Sequence, residues 1–495
     1  MTSRKHIAIF YIISFLFIAL DTWFLLRKQS GLVAAIPLAL IVIYLAIFSL
    51  DKLMLFVVFC TPLSIGFGSI HDDFLEQVGL SAALPTEPIM FGILLLFILL
   101  VVYDGINKNI INHPISLLIG FMLFWTLVTT VTSTMPIVSA KFLIERLWAI
   151  VTFYVLGIYL FSKRKYRYTF LWLYIIPFTY IIGYATIRHA ATHFTEKGAH
   201  FAARPFYNDH TAYGALLAMF IPVLIGLALN RKRANFSRIV AGILVFVFLG
   251  AVALSYSRAA WLSLIIALAV FLLMYFKIKF RTILIAAFFG LGLFFTFQTK
   301  IIMKLQRNNK QVSQDLNSEI QSISNISSDA SNKERINRWS CAYRMFLDKP
   351  YFGYGPGTYM FKYAPYQISS QRTIISTNLA NGGNSHSEYL GPLSEQGLLG
   401  LLAFAALVIG ICIFSFNLYY KLEDSEMKIV VISLFLGLVT YFVHGFVNDF
   451  LDSDKAGVPF WGFIAILVAI DMERRGVVIW KEKQDTTAES GRLTA

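Results

Sequence analysis

One histidine stands in surroundings that indicate chemistry. His386 lies in the stretch Asn381-Gly-Gly-Asn-Ser-His386-Ser-Glu-Tyr-Leu390, where its neighbours are small and polar. Such a segment predicts a loop, and a lone loop histidine is more often simply solvated. Here, however, a glycine pair precedes the histidine and an apolar segment begins directly after it. Because neutral imidazole accepts a proton from a hydroxyl near pH 7, we predict that His386 is a general base.

Three arginines close to apolar segments form the second candidate group. Arg258 follows Ser255-Tyr-Ser257 at a tight corner, Arg204 precedes another apolar segment, and Arg146 lies next to Glu145. The guanidinium group is a rigid fork of donors that suits phosphate oxygens, so three of them near one level would cradle a diphosphate. Interfacial lipid headgroups are the alternative partners. We prefer that alternative for Arg146 and the phosphate role for Arg258.

The third candidate group is polar and acidic and follows a late apolar segment. It comprises His444, Asn448, Asp449, Asp452 and Asp454. Oxygen ligands of this kind suit hard divalent cations, but their order matches no metal-binding motif. We therefore predict a solvated acidic turn and no bound metal, with His444 or Asp449 lining a cavity. Arg146 is a further candidate for the wall of that cavity.

Composition decides which elements must position these residues. Of the 495 residues, 57% are hydrophobic and 14% are charged, and the mean hydropathy is +0.66. The apolar residues come in runs of about 18 to 20, the length of a transmembrane helix. We therefore predict an all-α polytopic membrane protein. The net charge of +14 indicates basic cytoplasmic loops rather than nucleic-acid binding. The three cysteines have no disulfide or metal spacing.

Hydropathy predicts about 12 to 14 membrane spans. The candidates are 7–26, 31–50, 53–69, 87–103, 115–132, 143–161, 169–187, 210–229, 239–255, 259–276, 282–299, 396–420, 428–447 and 457–472. The third is the weakest, since Pro62 and Gly66 interrupt it, and a re-entrant segment is the alternative. The first apolar run lacks a small-x-small cleavage site, so we interpret it as a retained span.

The distribution of basic residues predicts the orientation. Lysine and arginine concentrate in alternate connections, at 163–167, 231–238, 277–281 and 474–475. By the positive-inside rule these connections and both termini are cytoplasmic, and the long hydrophilic segment 300–395 is external. The chain then divides into N-terminal spans (1–180), spans with the arginine motifs (181–299), the external loop (300–395), C-terminal spans (396–472) and a cytoplasmic tail (473–495).

The long hydrophilic segment has internal order in its second half. Residues 304–332 are rich in Ser, Asn and Gln, whereas Ile336, Trp339, Tyr343 and Phe346 recur at helical spacing. This pattern predicts a helix over 334–347 that lies on the membrane surface or caps the bundle. Asp348-Lys-Pro350 ends it, and the glycine-rich turn 353–357 follows.

Taken together, these motifs resemble the O-antigen ligase and O-antigen polymerase superfamily of bacterial envelope glycosyltransferases. The resemblance covers most of 180–470. It rests on Arg204 to Tyr213, Ser255-Tyr-Ser-Arg258, Trp339 to Met345 leading into Asp348-Lys-Pro-Tyr-Phe-Gly353-Tyr-Gly355-Pro-Gly357, and His386-Ser-Glu-Tyr-Leu390 followed by Glu395-Gln-Gly397. It implies a multi-pass protein of the bacterial inner membrane with a long periplasmic loop.

The resemblance also implies residue roles. His386 would activate the acceptor hydroxyl, and Arg258 and Arg204 would hold a lipid-linked diphosphate. Asn208 and His210 share the motif of Arg204, and Tyr389 shares that of His386, so we expect all three at the substrate. Further tyrosines of the loop either stack on sugars or lie at the membrane interface, as is usual for this residue type; they are Tyr354, Tyr359, Tyr363 and Tyr366.

The implied reaction needs no cofactor. The donor is a glycan on polyprenyl diphosphate, whose leaving group is already good, and the sequence has no glycine-rich nucleotide loop after a strand. The acceptor is a glycan or a lipid A core, and attack from the opposite face inverts the anomeric carbon. A ligase and a polymerase differ only in the acceptor, and both stay open. A flippase for lipid-linked sugars is a third interpretation, but broken-helix pairs and repeats typical of transporters are not evident.

Overall fold

The structure, a computed structural model, describes residues 2–28, 35–66, 83–278, 282, 330–372, 376 and 383–479. Helices dominate this described part, and its strands are the short antiparallel pair β1 (Ile65–Gly66) and β2 (Ala83–Leu84). The chain forms two compact units that divide after Val57. The prediction of an all-α polytopic membrane protein is confirmed.

The first unit consists of two helices and the start of a third. These are α1 (Thr2–Lys28), α2 (Ala35–Phe48) and α3 (Leu50–Cys60). The predicted span at 53–69 is wrong, because α3 stops at Cys60, where a turn containing Pro62 leads into β1. A helix of 11 residues is about 16 Å long, roughly half the thickness of the hydrocarbon core.

The second unit is a helical bundle. Its helices are α4 (Thr86–Asp104), α5 (Lys108–Ile111), α6 (Pro114–Val131), α7 (Pro136–Ile150), α8 (Leu156–Phe161), α9 (Arg164–Ala190), α10 (Glu196–Ala202), α11 (His210–Leu229), α12 (Asn235–Leu254), α13 (Arg258–Tyr275), α14 (Ala330–Asp348), α15 (Tyr359–Lys362), α16 (Leu390–Lys421), α17 (Ser425–His444) and α18 (Asp454–Arg474). One π-helical turn, Val151–Val155, joins α7 to α8.

Ten helical segments in the described residues are long and apolar enough to cross a membrane, with α7 and α8 counted as one. They match ten of the predicted spans. Seven of these run in order from the span at 87–103 to the span at 259–276, and the other three are 396–420, 428–447 and 457–472. The predicted span at 282–299 lies outside the described residues apart from Thr282. In α1 and α2 the apolar stretches are shorter, Ser14–Trp23 and Ala39–Phe48.

One end of the bundle, called the Arg164 end, is held by ion pairs between short connections. Arg164 donates to Asp424 at 2.9 Å and to Glu473 at 2.7 Å. Lys232 also donates to Asp424, at 2.8 Å. These contacts bring together the connections α8–α9, α11–α12 and α16–α17 and the end of α18. This end carries the basic connections identified in the sequence.

The opposite end, called the His386 end, collects the other set of connections. There the segment before α16 contacts the α17–α18 connection, since Asn384 donates to the backbone oxygen of Asp449 at 3.1 Å. Thr211, at the start of α11, donates to Asn448 at 3.4 Å. The three candidate groups of the sequence therefore all belong to the same end of the bundle.

Helix α14 confirms the predicted helix at 334–347 and its stop at Asp348. It packs against α16 at the His386 end, so it caps the bundle. Its buried face includes Asn337, Cys341, Ala342 and Met345. The aromatic face that gave the sequence pattern is more open, and Tyr343 is 54% exposed.

The glycine-rich turn after α14 locks onto a kink in α16. Gly397 has a left-handed φ of 71° inside α16, and a Cβ there would lie 2.2 Å from the Tyr351 carbonyl oxygen. At Gly353, with φ +67°, an added Cβ would lie 2.2 Å from the carbonyl carbon of Glu395. Only glycine allows both approaches. The Glu395 carboxylate then accepts from the backbone N–H groups of Gly357 and Tyr359, at 3.0 and 2.8 Å.

Candidate active site at the His386 end

His386 lies in a strained turn that its neighbours hold in place. It is half-buried and has φ 50°, the left-handed region that non-glycine residues seldom adopt. Its backbone N–H donates to the Asn384 side chain at 3.1 Å, and Trp339 of α14 donates to its carbonyl at 3.3 Å. Such strain persists only where the surroundings enforce it, and it is concentrated at functional sites.

Two arginines of α14 lie beside this turn. Arg338 is buried, donates to Glu334 at 2.8 Å and to the Asn384 carbonyl at 3.2 Å, and lies over the Tyr363 ring at 4.6 Å. A Cβ added at Gly383 would overlap its guanidinium group, at 1.3 Å. Arg335 donates to the backbone oxygen of Val447 at 3.2 Å. Thus α14 supplies positive charge to both loops at this end.

The surroundings of His386 favour its neutral form. Burial, followed by the charges of Arg338 and Arg335, lowers the pKa of His386 to about 4. Asp209 and Glu334 oppose this shift. The imidazole is therefore unprotonated at neutral pH and available as a proton acceptor.

Two further histidines share these charged neighbours. Asp209 and Arg335 act electrostatically on His210 and His444 as they do on His386. The His210 ring lies 3.9 Å from that of His200, and its Nδ1 is 3.4 Å from Asp209. His444 is buried, and its Nδ1 lies 3.1 Å from Asn448. All three histidines, His386, His210 and His444, thus lie within the electrostatic reach of the same carboxylate and the same guanidinium group.

The Arg258 corner packs against the start of α11. A Cβ at Gly214, one turn after His210, would lie 2.6 Å from the Ser257 Cβ. Tyr256, with φ 51°, donates to the Phe194 carbonyl at 2.9 Å. These contacts hold the corner rigidly and place Arg258, the first residue of α13, at the His386 end.

Arg204 stays with its own loop. It is exposed, its Nε donates to the Asn208 carbonyl at 3.4 Å, and its guanidinium group lies over the Phe201 ring at 4.7 Å. Asn208 itself is exposed and lines a cavity.

Arg146 does not reach lipid headgroups, in contrast to the preferred sequence interpretation. It is buried and forms an ion pair with Asp452. The prediction of a solvated acidic turn is also wrong for Asp454, which is buried and accepts from Ser64 and Thr86, each at 2.6 Å. Residues from distant segments of the chain therefore neutralise the charge of Arg146 and donate hydrogen bonds to Asp454.

Glu388, two residues after His386, joins this segment to the α17–α18 connection. One of its carboxylate oxygens accepts from Tyr441 at 2.5 Å and from the backbone N–H groups of Phe450 and Leu451 at 2.8 and 2.7 Å. Burial and the nearby Asp452 carboxylate raise the pKa of Glu388. Burial and the Glu388 carboxylate likewise raise the pKa of Asp449. Glu388 is thus a buried acceptor of three hydrogen bonds.

Several tyrosines expected to stack on sugars are internal. Tyr389 donates to the Phe442 carbonyl at 3.2 Å and stacks on Phe446, with ring centroids 4.2 Å apart. Tyr359 and Tyr363 are fully buried and stack on each other at 5.4 Å. These two rings are part of the core that joins α14 to the loop, and they present no face to a sugar.

A cavity of about 240 Å³ opens beside Asp209. Aromatic and small side chains make up most of its wall, with a few polar groups between them. The wall includes Phe206, Asn208, Asp209 and Phe450. Asp209, 3.4 Å from the Nδ1 of His210, therefore links the cavity wall to this histidine.

The sequence alone did not single out Arg335, Arg338, Glu388 or Asp209. The two arginines were present in the helical pattern as interspersed charges, and their spacing of three residues places both on one face. In the structure Arg338 is buried and Arg335 half-buried, which only the packing of α14 reveals.

Comparison with known proteins supports the resemblance seen in the motifs. A family model described as O-Antigen ligase matches residues 243–405. The matched region contains the Arg258 corner, α14 and His386. No curated protein matches the sequence.

Proposed function

We infer from the match of residues 243–405 to the O-Antigen ligase model that this polytopic membrane protein is a member of the O-antigen ligase superfamily, and we propose that it transfers a glycan from polyprenyl diphosphate to an acceptor hydroxyl. The observation that carries this proposal is the position of His386. It is held in a strained turn, kept neutral at pH 7 and flanked by arginines at the end of the bundle that also holds the Arg258 corner.

In the proposed reaction His386 takes the proton of the acceptor hydroxyl. The hydroxyl oxygen forms a bond to the anomeric carbon while the bond from that carbon to the diphosphate oxygen breaks. The electron pair of the broken bond leaves with the diphosphate, and the anomeric carbon is inverted. Arginine stabilises the charge that develops on the leaving group. Arg258 is the first candidate for this role. Arg335 is a second candidate, because it lies beside the His386 turn.

We assign the cavity beside Asp209 to one sugar residue. Its volume of about 240 Å³ lies just below the roughly 300–1,000 Å³ of cavities that hold drug-sized ligands. Phe206 and Phe450 offer apolar faces to a sugar ring, and Asn208 and Asp209 offer hydrogen-bonding groups to its hydroxyls. Arg204, on the same loop, would then lie beside the substrate rather than at the diphosphate.

The direct test uses the purified protein in vesicles that contain a polyprenyl-diphosphate glycan. We expect release of polyprenyl diphosphate when an acceptor is supplied. A lipid A core as the effective acceptor identifies a ligase, and a second lipid-linked glycan identifies a polymerase. Movement of intact lipid-linked glycan across the bilayer without release of polyprenyl diphosphate would instead identify a flippase and refute the proposed transfer.

We propose that the His386 end is external and the Arg164 end cytoplasmic, since the basic connections gather at the Arg164 end. In intact cells a membrane-impermeant maleimide is expected to label a cysteine placed at Ser369, which is exposed. A cysteine at Arg231, exposed at the Arg164 end, should react only after the cells are opened. The opposite pattern of labelling would reverse this orientation.

A further inference from the structure

The end of α14 and the turn that follows it carry large apolar side chains that the described part of the chain leaves about half or more exposed. Tyr351 is 78% exposed, Leu347 58%, Tyr343 54% and Phe352 45%. We call these four residues the turn patch. Three of them are aromatic, and all lie within nine residues of one another on the end of α14 and the turn after it.

The turn patch lies at the level of the membrane boundary. Phe352 stacks on Trp125 of α6, with ring centroids 5.7 Å apart and planes 18° apart. Trp125 precedes the end of α6 by six residues, which is about 9 Å along the helix. A loop residue stacked there must reach down beside a membrane-spanning helix.

The contacts between the turn after α14 and helix α16 also place this turn near the membrane boundary. Leu398 donates to the Pro350 carbonyl at 3.0 Å, directly after the kink at Gly397. Helix α16 has 32 residues and is about 48 Å long, so it exceeds the roughly 30 Å hydrocarbon core. The stretch of about 20 residues that ends at Lys421 fills the core. Gly397 and the turn bound to it then lie about five residues, roughly 8 Å, beyond the core, at the level of the headgroups.

The patch continues the apolar surface of the spanning helices. Leu398, Leu399 and Leu402 of α16 are exposed next to the bound turn, as is Phe124 beside Trp125. Because these side chains belong to membrane-spanning helices, their exposed faces meet lipid. Aromatic residues are enriched where acyl chains meet headgroups. The patch has the composition and the level of that interface.

We propose that the turn patch inserts into the lipid leaflet at the His386 end and anchors α14 there. The partner is the boundary between acyl chains and headgroups, which accepts the tyrosine rings with their hydroxyls toward water. Since α14 carries Arg335, Arg338 and Trp339, this anchor sets the height of the His386 turn above the bilayer. The proposal does not depend on which reaction the protein performs.

The test measures lipid contact at Tyr351 in the full-length protein. Cys60 and Cys412 are replaced by serine, and a cysteine at position 351 is labelled with the fluorophore NBD. The protein is placed in phosphatidylcholine nanodiscs that contain lipids with a spin label at carbon 5 or carbon 12. Two further cysteine positions serve as references. A label at position 246, where Phe246 is 76% exposed in the middle of α12, reports the centre of the acyl-chain region. A label at position 369 reports the polar part of the loop.

At position 351 we expect blue-shifted emission, several-fold stronger quenching by the carbon-5 spin label than at Ser369, and protection from iodide in the solvent. The Phe246 label should respond most to carbon 12. Emission at 351 that matches water and is quenched by iodide would overturn the proposal. So would cross-linking of 351 between two copies of the chain without lipid quenching, which would identify a protein interface. Leu347→Cys repeats the measurement from α14 itself.

Discussion

Replacement of His386 by alanine is expected to lower the rate of glycan transfer by about 10²- to 10⁴-fold, the usual contribution of a positioned general base. Binding of the lipid-linked donor should change little, because the proposed diphosphate ligand Arg258 lies on a separate segment. His386→Gln keeps hydrogen-bonding capacity but has no basic nitrogen, so it should not restore the rate. The measurements are the transfer rate in vesicles and the affinity for the lipid-linked glycan.

His193 offers a matched control for the His386 variants. It is an exposed histidine at the same end of the bundle, and its φ of 54° is close to the 50° of His386. His193→Ala therefore tests the loss of an imidazole from a left-handed backbone position, and it should leave transfer unchanged. Transfer by His386→Gln at more than about a tenth of the wild-type rate, well above the loss expected for a base, would remove His386 from the catalytic role.

The pH dependence of the same reaction follows from the environment of His386. An unperturbed histidine has a pKa of about 6.5 and would lose its base function on acidification through that value. Burial, Arg338 and Arg335 lower the pKa of His386 to about 4, so the neutral form persists to lower pH. We expect kcat/KM, which reports the free enzyme, to show no loss of base function between pH 8 and 5. A decline centred near pH 6.5, absent from donor binding, would contradict this environment.

Replacement of Glu388 by alanine is expected to destabilise the protein by about 3 kcal/mol or more, because three buried donors would lose their acceptor at about 1–3 kcal/mol each. The donors are the Tyr441 hydroxyl and the backbone N–H groups of Phe450 and Leu451. The His386 segment would also separate from the α17–α18 connection, so transfer should fall as well. Unfolding of the purified protein in mixed detergent micelles measures the first effect.

Glu388→Gln is the informative control. The amide oxygen can accept the same hydrogen bonds from Tyr441, Phe450 and Leu451. The glutamine variant should therefore retain most of the stability that alanine loses. Glu423→Ala, at an exposed position, should be neutral. Equal stability of Glu388→Ala and the wild type would show that water or another group replaces the carboxylate.

Local sequence signals predicted a large share of the helices. The span at 210–229 coincides with α11, and the helix at 334–347 lies within α14 and stops at Asp348, as the following Lys-Pro indicates. These predictions succeed because hydropathy, periodicity and proline act over a few residues. The span at 53–69 failed for a related reason: hydropathy was averaged over a stretch that the turn at Pro62 divides.

The sequence by itself determined the class of the protein, most of its spanning helices and the segment that carries His386. It also determined the similarity of residues 243–405 to O-antigen ligases. Each of these is written in composition or in adjacent residues. Only the tertiary structure decided which charges meet. Asp452 neutralises Arg146 from 306 positions away, and Glu388 binds backbone groups 62 and 63 positions away. Arg335 and Arg338 face the His386 turn because α14 buries its polar side. Contacts at such separations arise from packing, and no local pattern encodes them.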